Sequence, residues 1–92
     1  MTTAVSPEMK VRNHLALLGA ALNTAELGLR SYDSKSVFIA LRDAAFYRGV
    51  IVSNIPRLPV DKQSVRVYEL QELTNKMRAL GGAFIGTNLR FV

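Results

Sequence analysis

His14 is the one histidine in a chain without cysteine, so general-base catalysis or metal ligation would have to start there. A base needs a nucleophile or an orienting carboxylate held within hydrogen-bond reach. Glu8, Glu26 and Asp43 do not fall at spacings that would serve it. Without thiolates, carboxylates are the only other strong metal ligands, and none cluster at ligand spacing, so neither a metal nor a cofactor is expected. His14 is expected at the edge of a packed helix.

Asp61, Lys62, Arg66 and Glu69 form a second set, which could hold an anionic substrate between arginine and glutamate. Acids at a helix start and mixed charge beyond it also describe an ordinary solvated helix, and that is the expectation. Gly81, Gly82 and Gly86 follow a helical pattern rather than a strand, and no Lys-Ser or Lys-Thr pair succeeds them. They therefore do not make a phosphate loop. Pro56-Arg57-Leu58-Pro59 has the minimal spacing of a proline-rich ligand, but a rigid spacer between helices explains the same residues. No enzyme activity is expected.

Charge points to a partner rather than to a reaction. Twelve Lys and Arg against seven Asp and Glu give +5 at pH 7, which favours an anionic partner such as nucleic acid or an acidic protein face. The candidate contacts are Arg57, Lys62 and Arg66, with Lys76, Arg78 and Arg90 as a second group. Glu69 and Glu72 interrupt that stripe, and the linker before it is too long for a helix-turn-helix. Tyr32, Tyr47 and Tyr68 could stack on bases, although aromatics at helical spacing more often fill a core or an interface.

These residues must be carried by helices. Val11, Leu15, Leu18, Leu22, Ala25 and Leu29 recur at spacings of four and three, the seam of a helix packed along its whole length. Ser6 as cap, Pro7 in the first turn and Glu8 at the positive dipole end place its start, with residues 1–5 a disordered lead. It runs to about Arg30, with Glu26 and Arg30 spaced as a surface pair. The short Ser31-Tyr32-Asp33-Ser34 stretch then implies an antiparallel hairpin. A second helix is predicted over 34–48, turning Val37, Leu41 and Ala44, with Phe38 and Ala45 beside them, to the first helix and stopping at Gly49.

Val50, Ile51 and Val52 with Pro56 and Pro59 predict an extended linker over 50–60. Asp61 caps a third helix over 61–80 carrying Val67, Leu70, Leu73, Met77 and Leu80, with Glu72 and Lys76 paired outside and Gly81-Gly82 as its end. Ile85, Thr87, Leu89 and Phe91 alternate with Gly86, Asn88 and Arg90, so residues 83–92 read as a strand-like tail.

The expected fold is mainly α: one small domain over 6–92 in which a hairpin and a third helix make a three-helix bundle. Hydrophobic residues are 49% of the chain against 21% charged, much apolar surface for a domain of this size. The first helix is apolar around most of its circumference, with Gly19 and Ala20 allowing close approach. The six seam residues are therefore expected to form the interface of a homo-oligomer, most simply a dimer. That makes a non-enzymatic structural or adaptor protein, which also binds a protein partner, the expected function, with a small basic nucleic-acid-binding protein as the alternative. No apolar run approaches the ~20 residues of a membrane span and no secretory start is visible, so a soluble, cytoplasmic protein is expected.

Overall fold

Ser6, Pro7 and Glu8 begin the first helix as their chemistry dictates. A computed structural model describes residues 5–90, and side chains through Gly86; the expected disordered lead falls mostly on residues 1–4, outside the described residues. Helix α1 spans Pro7–Arg30, the Ser6 hydroxyl accepts the Met9 amide at 3.2 Å, and Glu8 lies in the first turn. At the other end Asp33 N–H donates to Gly28 O at 2.8 Å and Tyr32 N–H to Leu29 O at 3.4 Å. This pair of bonds defines a Schellman end, which requires a left-handed residue just past the helix. Tyr32 supplies it, with φ 56°.

Helix α2 spans Ser34–Asn54 and is capped by Asp33, whose carboxylate accepts the Ser36 amide at 3.1 Å and the Ser36 hydroxyl at 2.6 Å. The hairpin closes tightly because Gly28 has no side chain: a Cβ there would stand 2.7 Å from Val37 Cγ2. Gly19, by contrast, faces open space, so Gly28 and not Gly19 is the point of close approach.

Helix α2 does not stop at Gly49, and the predicted linker over 50–60 is corrected: residues 50–54 are helical. Gly49 costs about 1 kcal/mol and each β-branched residue about 0.5 kcal/mol in helix propensity. Ile51 is fully buried, which returns roughly 1.5–3 kcal/mol, and its backbone bonds are kept. Pro56 ends the run instead, in a short 3-10 turn over Ile55–Arg57; Ile55 and Leu58, the residue just after the turn, enter the core. The buried stripe of α2 is Val37, Ala40, Ala44 and Ile51 with Leu41 half-buried; Phe38 and Ala45 are exposed, not turned to α1.

Helix α3 spans Val60–Arg90, so neither Gly81-Gly82 nor the alternation beyond them breaks it. The strand-like tail is corrected in the same way: residues 83–90 are helical, while 91 and 92 lie outside the described residues. The physical reason is Phe84, one turn past Leu80, which packs with it against Ala25, Val37 and Ala40 near the hairpin's turn. A short strand would have had no partner, since no strand occurs among the described residues.

The main core gathers Val11, Leu15, Leu18 and Leu22 of α1, Ala44 and Ile51 of α2, and Leu70 of α3, with Leu73, Met77 and Leu80 half-buried around it. Val67 is exposed and does not join the stripe. Arg48, half-buried in α2, links α2 to α3 by donating from Nε to the buried Thr74 hydroxyl at 3.0 Å.

Candidate functional site

The seam residues lie where burial takes them, inside a single chain. Val11, Leu15, Leu18, Leu22 and Ala25 are buried against α2 and α3, and Leu29 is half-buried in the cluster near the turn. Their apolar stripe is covered by the chain's own helices, so a second copy could not reach it without unpacking the core.

The basic residues are also largely spent within the chain. Lys62 Nζ donates to both Glu8 oxygens at 3.1 and 3.2 Å, and Arg66 Nη1 to both Glu69 oxygens at 2.9 and 3.2 Å. Lys76 meets Glu26 at 3.3 Å and Asn23 Oδ1 at 3.3 Å, where Glu26 also holds Arg30 at 3.1 Å. The expected Glu72–Lys76 pair is thus corrected: Lys76 reaches across to α1, where a carboxylate and an amide meet it together. Arg57 and Arg78 are exposed and carry no ion pair among the described residues; the side chain of Arg90 lies outside them.

His14 sits half-buried beside α2, with its Nδ1 2.8 Å from Lys10 O and its ring edge-on to Tyr47 at 6.0 Å and 66°. A proton on Nδ1 would be donated to that carbonyl. The histidine packs at the helix edge against Tyr47. The Asp61, Lys62, Arg66 and Glu69 set acquires Glu8 from α1, which lines a shallow recess with Asp61, Lys62 and Arg66. Its cations are held by carboxylates already. Among the described residues no group of three or more His, Cys, Asp or Glu is placed to hold a metal.

The surface left without a partner is apolar. On the outside of the hairpin, α1 and α2 enclose an open groove of about 330 Å³ floored by Ala20, Ala21 and Ala40 and walled by Leu17, Ile39 and Tyr47. Leu17 is 43% exposed and Phe46, on the same side of α2 as Ile39, is 66% exposed. Phe46 stands edge-on to Tyr47, itself a groove residue, at 6.0 Å and 69°. The polar groups along the groove are mostly satisfied locally. Thr24 Oγ1 donates to Ala20 O at 3.1 Å, and the Ser36 hydroxyl donates to Asp33.

Sequence periodicity missed Ile39 and Phe46 because it followed one buried stripe in the second helix, whereas Leu17 already stood out as apolar surface off the α1 seam. The signal was present: Phe38, Ile39, Phe46 and Val52 fall off the Val37, Ala40, Ala44, Ile51 stripe, so α2 is apolar on more than one face. No helix among the described residues is long and apolar enough to cross a membrane. Compared with protein-family models, curated proteins and solved structures, the chain matches none of them.

Proposed function

We propose that this chain is a non-enzymatic structural or adaptor protein that acts by self-association, using the outer apolar surface of its hairpin rather than the α1 seam. The observation that carries the reading is surface left uncovered. On the outer side of the hairpin Leu17 is 43%, Ile39 37% and Phe46 66% exposed, and the first two line a groove of about 330 Å³.

Catalysis has less support. His14 is committed to a backbone carbonyl and Arg66 to Glu69, so neither is poised toward a substrate. Nucleic-acid binding is the weaker second reading, favoured by the net charge and by the unpaired Arg57 and Arg78, and opposed by the carboxylates that already neutralise Lys62, Arg66 and Lys76.

Sedimentation equilibrium on the full chain at micromolar concentrations tests the reading, with a mass of two or more copies expected. A single monomeric species across that range rejects it. A nucleic-acid complex whose affinity falls steeply with salt, in a chain that stays monomeric, would install the second reading instead.

A further inference from the structure

We propose that the end of α3, from Gly81 onward, is a strap that opens as one unit while the hairpin and the rest of α3 stay folded. The segment carries three glycines in six residues, Gly81, Gly82 and Gly86, and neither backbone geometry nor packing asks for them. Among the described residues no glycine has a positive φ, and a Cβ at any of these three would meet nothing within 4 Å. Gly28 is the contrast, since a Cβ there would stand 2.7 Å from Val37 Cγ2. Gly19 and Gly49 are equally free of close neighbours, but each stands alone, between buried Leu18 and Leu22 or between buried Ala44 and Ile51. What the three in α3 bring is a cost. Each lowers helix formation about fivefold relative to alanine, so together they weaken the segment on the order of a hundredfold. Ile85, stiff at its branched Cβ, adds little helix propensity in return.

Little holds the segment down. Among the described residues Lys76 is the last of α3 whose side chain bonds to the hairpin, meeting Glu26 at 3.3 Å and Asn23 at 3.3 Å. Beyond it the contact is apolar: Met77 packs on the main core, and Leu80 and Phe84 on the Ala25, Val37 and Ala40 cluster. Gly82, Ala83, Ile85 and Gly86 are exposed, which leaves Phe84 as the side chain over 81–86 that packs on the hairpin. An opening hinged at Gly81-Gly82 therefore gives up one half-buried aromatic and the backbone bonds of a poor helix former, while Lys76 keeps the rest of α3 docked. Segments with few buried contacts are the ones that open locally. Phe84 also walls a small cleft at the hairpin's turn with Gly28, Leu29, Tyr32 and Val37. Lifting it lets water reach Val37, which is 1% exposed with the strap in place.

Amide hydrogen exchange of the full chain, read residue by residue by NMR, tests the strap. The amides of 83–86 are expected to share one protection factor, at least about tenfold below that of 66–76, with a step at the two glycines. Gly81→Ala combined with Gly82→Ala fits the open space there. It should slow exchange over 83–86 about twentyfold, equally at each amide, and leave 66–76 unchanged. Phe84→Ala should speed the same amides and likewise spare 66–76. Protection that falls smoothly toward the C-terminus, with no step, is ordinary end fraying and overturns the strap. So does an alanine pair that slows 66–76 as much as 83–86, because the segment then opens only with the whole fold. Val37→Cys, in a chain with no other thiol, gives a second readout. Its labelling by a thiol reagent should slow with the alanine pair by the same factor as the 83–86 amides, and a rate that the pair leaves unmoved overturns the uncovering of Val37.

Discussion

Tyr32 is the residue whose conformation departs furthest from its type. Its φ of 56° lies in the left-handed region, where a side chain with a Cβ costs about 1 kcal/mol relative to glycine. It is held there because Asp33 must turn to cap α2 while its amide closes the end of α1 on Gly28 O. The ring is 76% exposed and contributes little packing. Tyr32→Gly should therefore raise the free energy of unfolding by roughly 0.5–1 kcal/mol, the glycine's extra freedom in the unfolded chain offsetting part of the relieved strain. Urea denaturation at neutral pH measures it, and a destabilised variant would mean that the tyrosine ring packs more than its exposure indicates. The residues 31–34 are legible in the sequence as a break with a new cap. That a tyrosine occupies the left-handed position is not, because no local preference puts it there.

At the scale of elements, the starts of α1 and α2 and the end of α1 were readable, and the ends of α2 and α3 were not. Starts depend on side chains that bond to amides three residues on, as Ser6 and Asp33 do, so the information is local. The Asp33 carboxyl is held below its ordinary value of 3.8, first by the Ser36 hydroxyl and next by the Ser36 amide. A carboxyl with a depressed folded-state value stabilises the fold fully above its unfolded value and loses that contribution as pH falls through the folded one. Asp33→Asn, which keeps a cap but no charge, should thus be less stable than the parent near neutral pH, and the gap should close as pH falls below about 3.8. Paired thermal melts from pH 7 to about 2 check this; a gap that persists at the acid end would show that the charge is not its source. Helix ends follow different physics. Gly49 and the Gly81-Gly82 pair are strong local stop signals, each residue costing about 1 kcal/mol inside a helix. They are overridden by Ile51 and Phe84, whose partners are brought up by the tertiary fold.

For the molecule as a whole, the seam of α1 is the centre of the core, and its apolar excess lies elsewhere. Leu18 and Leu17 are neighbours in sequence with opposite fates: Leu18 has no exposed surface, and Leu17 opens onto the groove. Leu18→Ala should lower the free energy of unfolding by about 2–5 kcal/mol through lost burial and the cavity left behind. The loss should appear even at concentrations too low for association, since Leu18 packs within its own chain. Denaturation at two protein concentrations measures it; a cost that vanishes on dilution would put Leu18 in an interface after all.

What the sequence determined alone is the mainly helical fold, the start of α1 and the α1–α2 hairpin, because seam spacing, caps and short connections are rules acting over three or four residues. Only the tertiary structure decided where α2 and α3 end, that 83–90 is helical, and that Lys62 meets Glu8 and Lys76 meets Glu26. Those outcomes rest on burial and charge pairs between residues about fifty positions apart. Hydrophobic spacing has no information about which side of a helix a distant segment will cover. It marked the α1 stripe as needing cover, and the folded chain supplied that cover itself, leaving Leu17 and Phe46 among the apolar side chains still open to water.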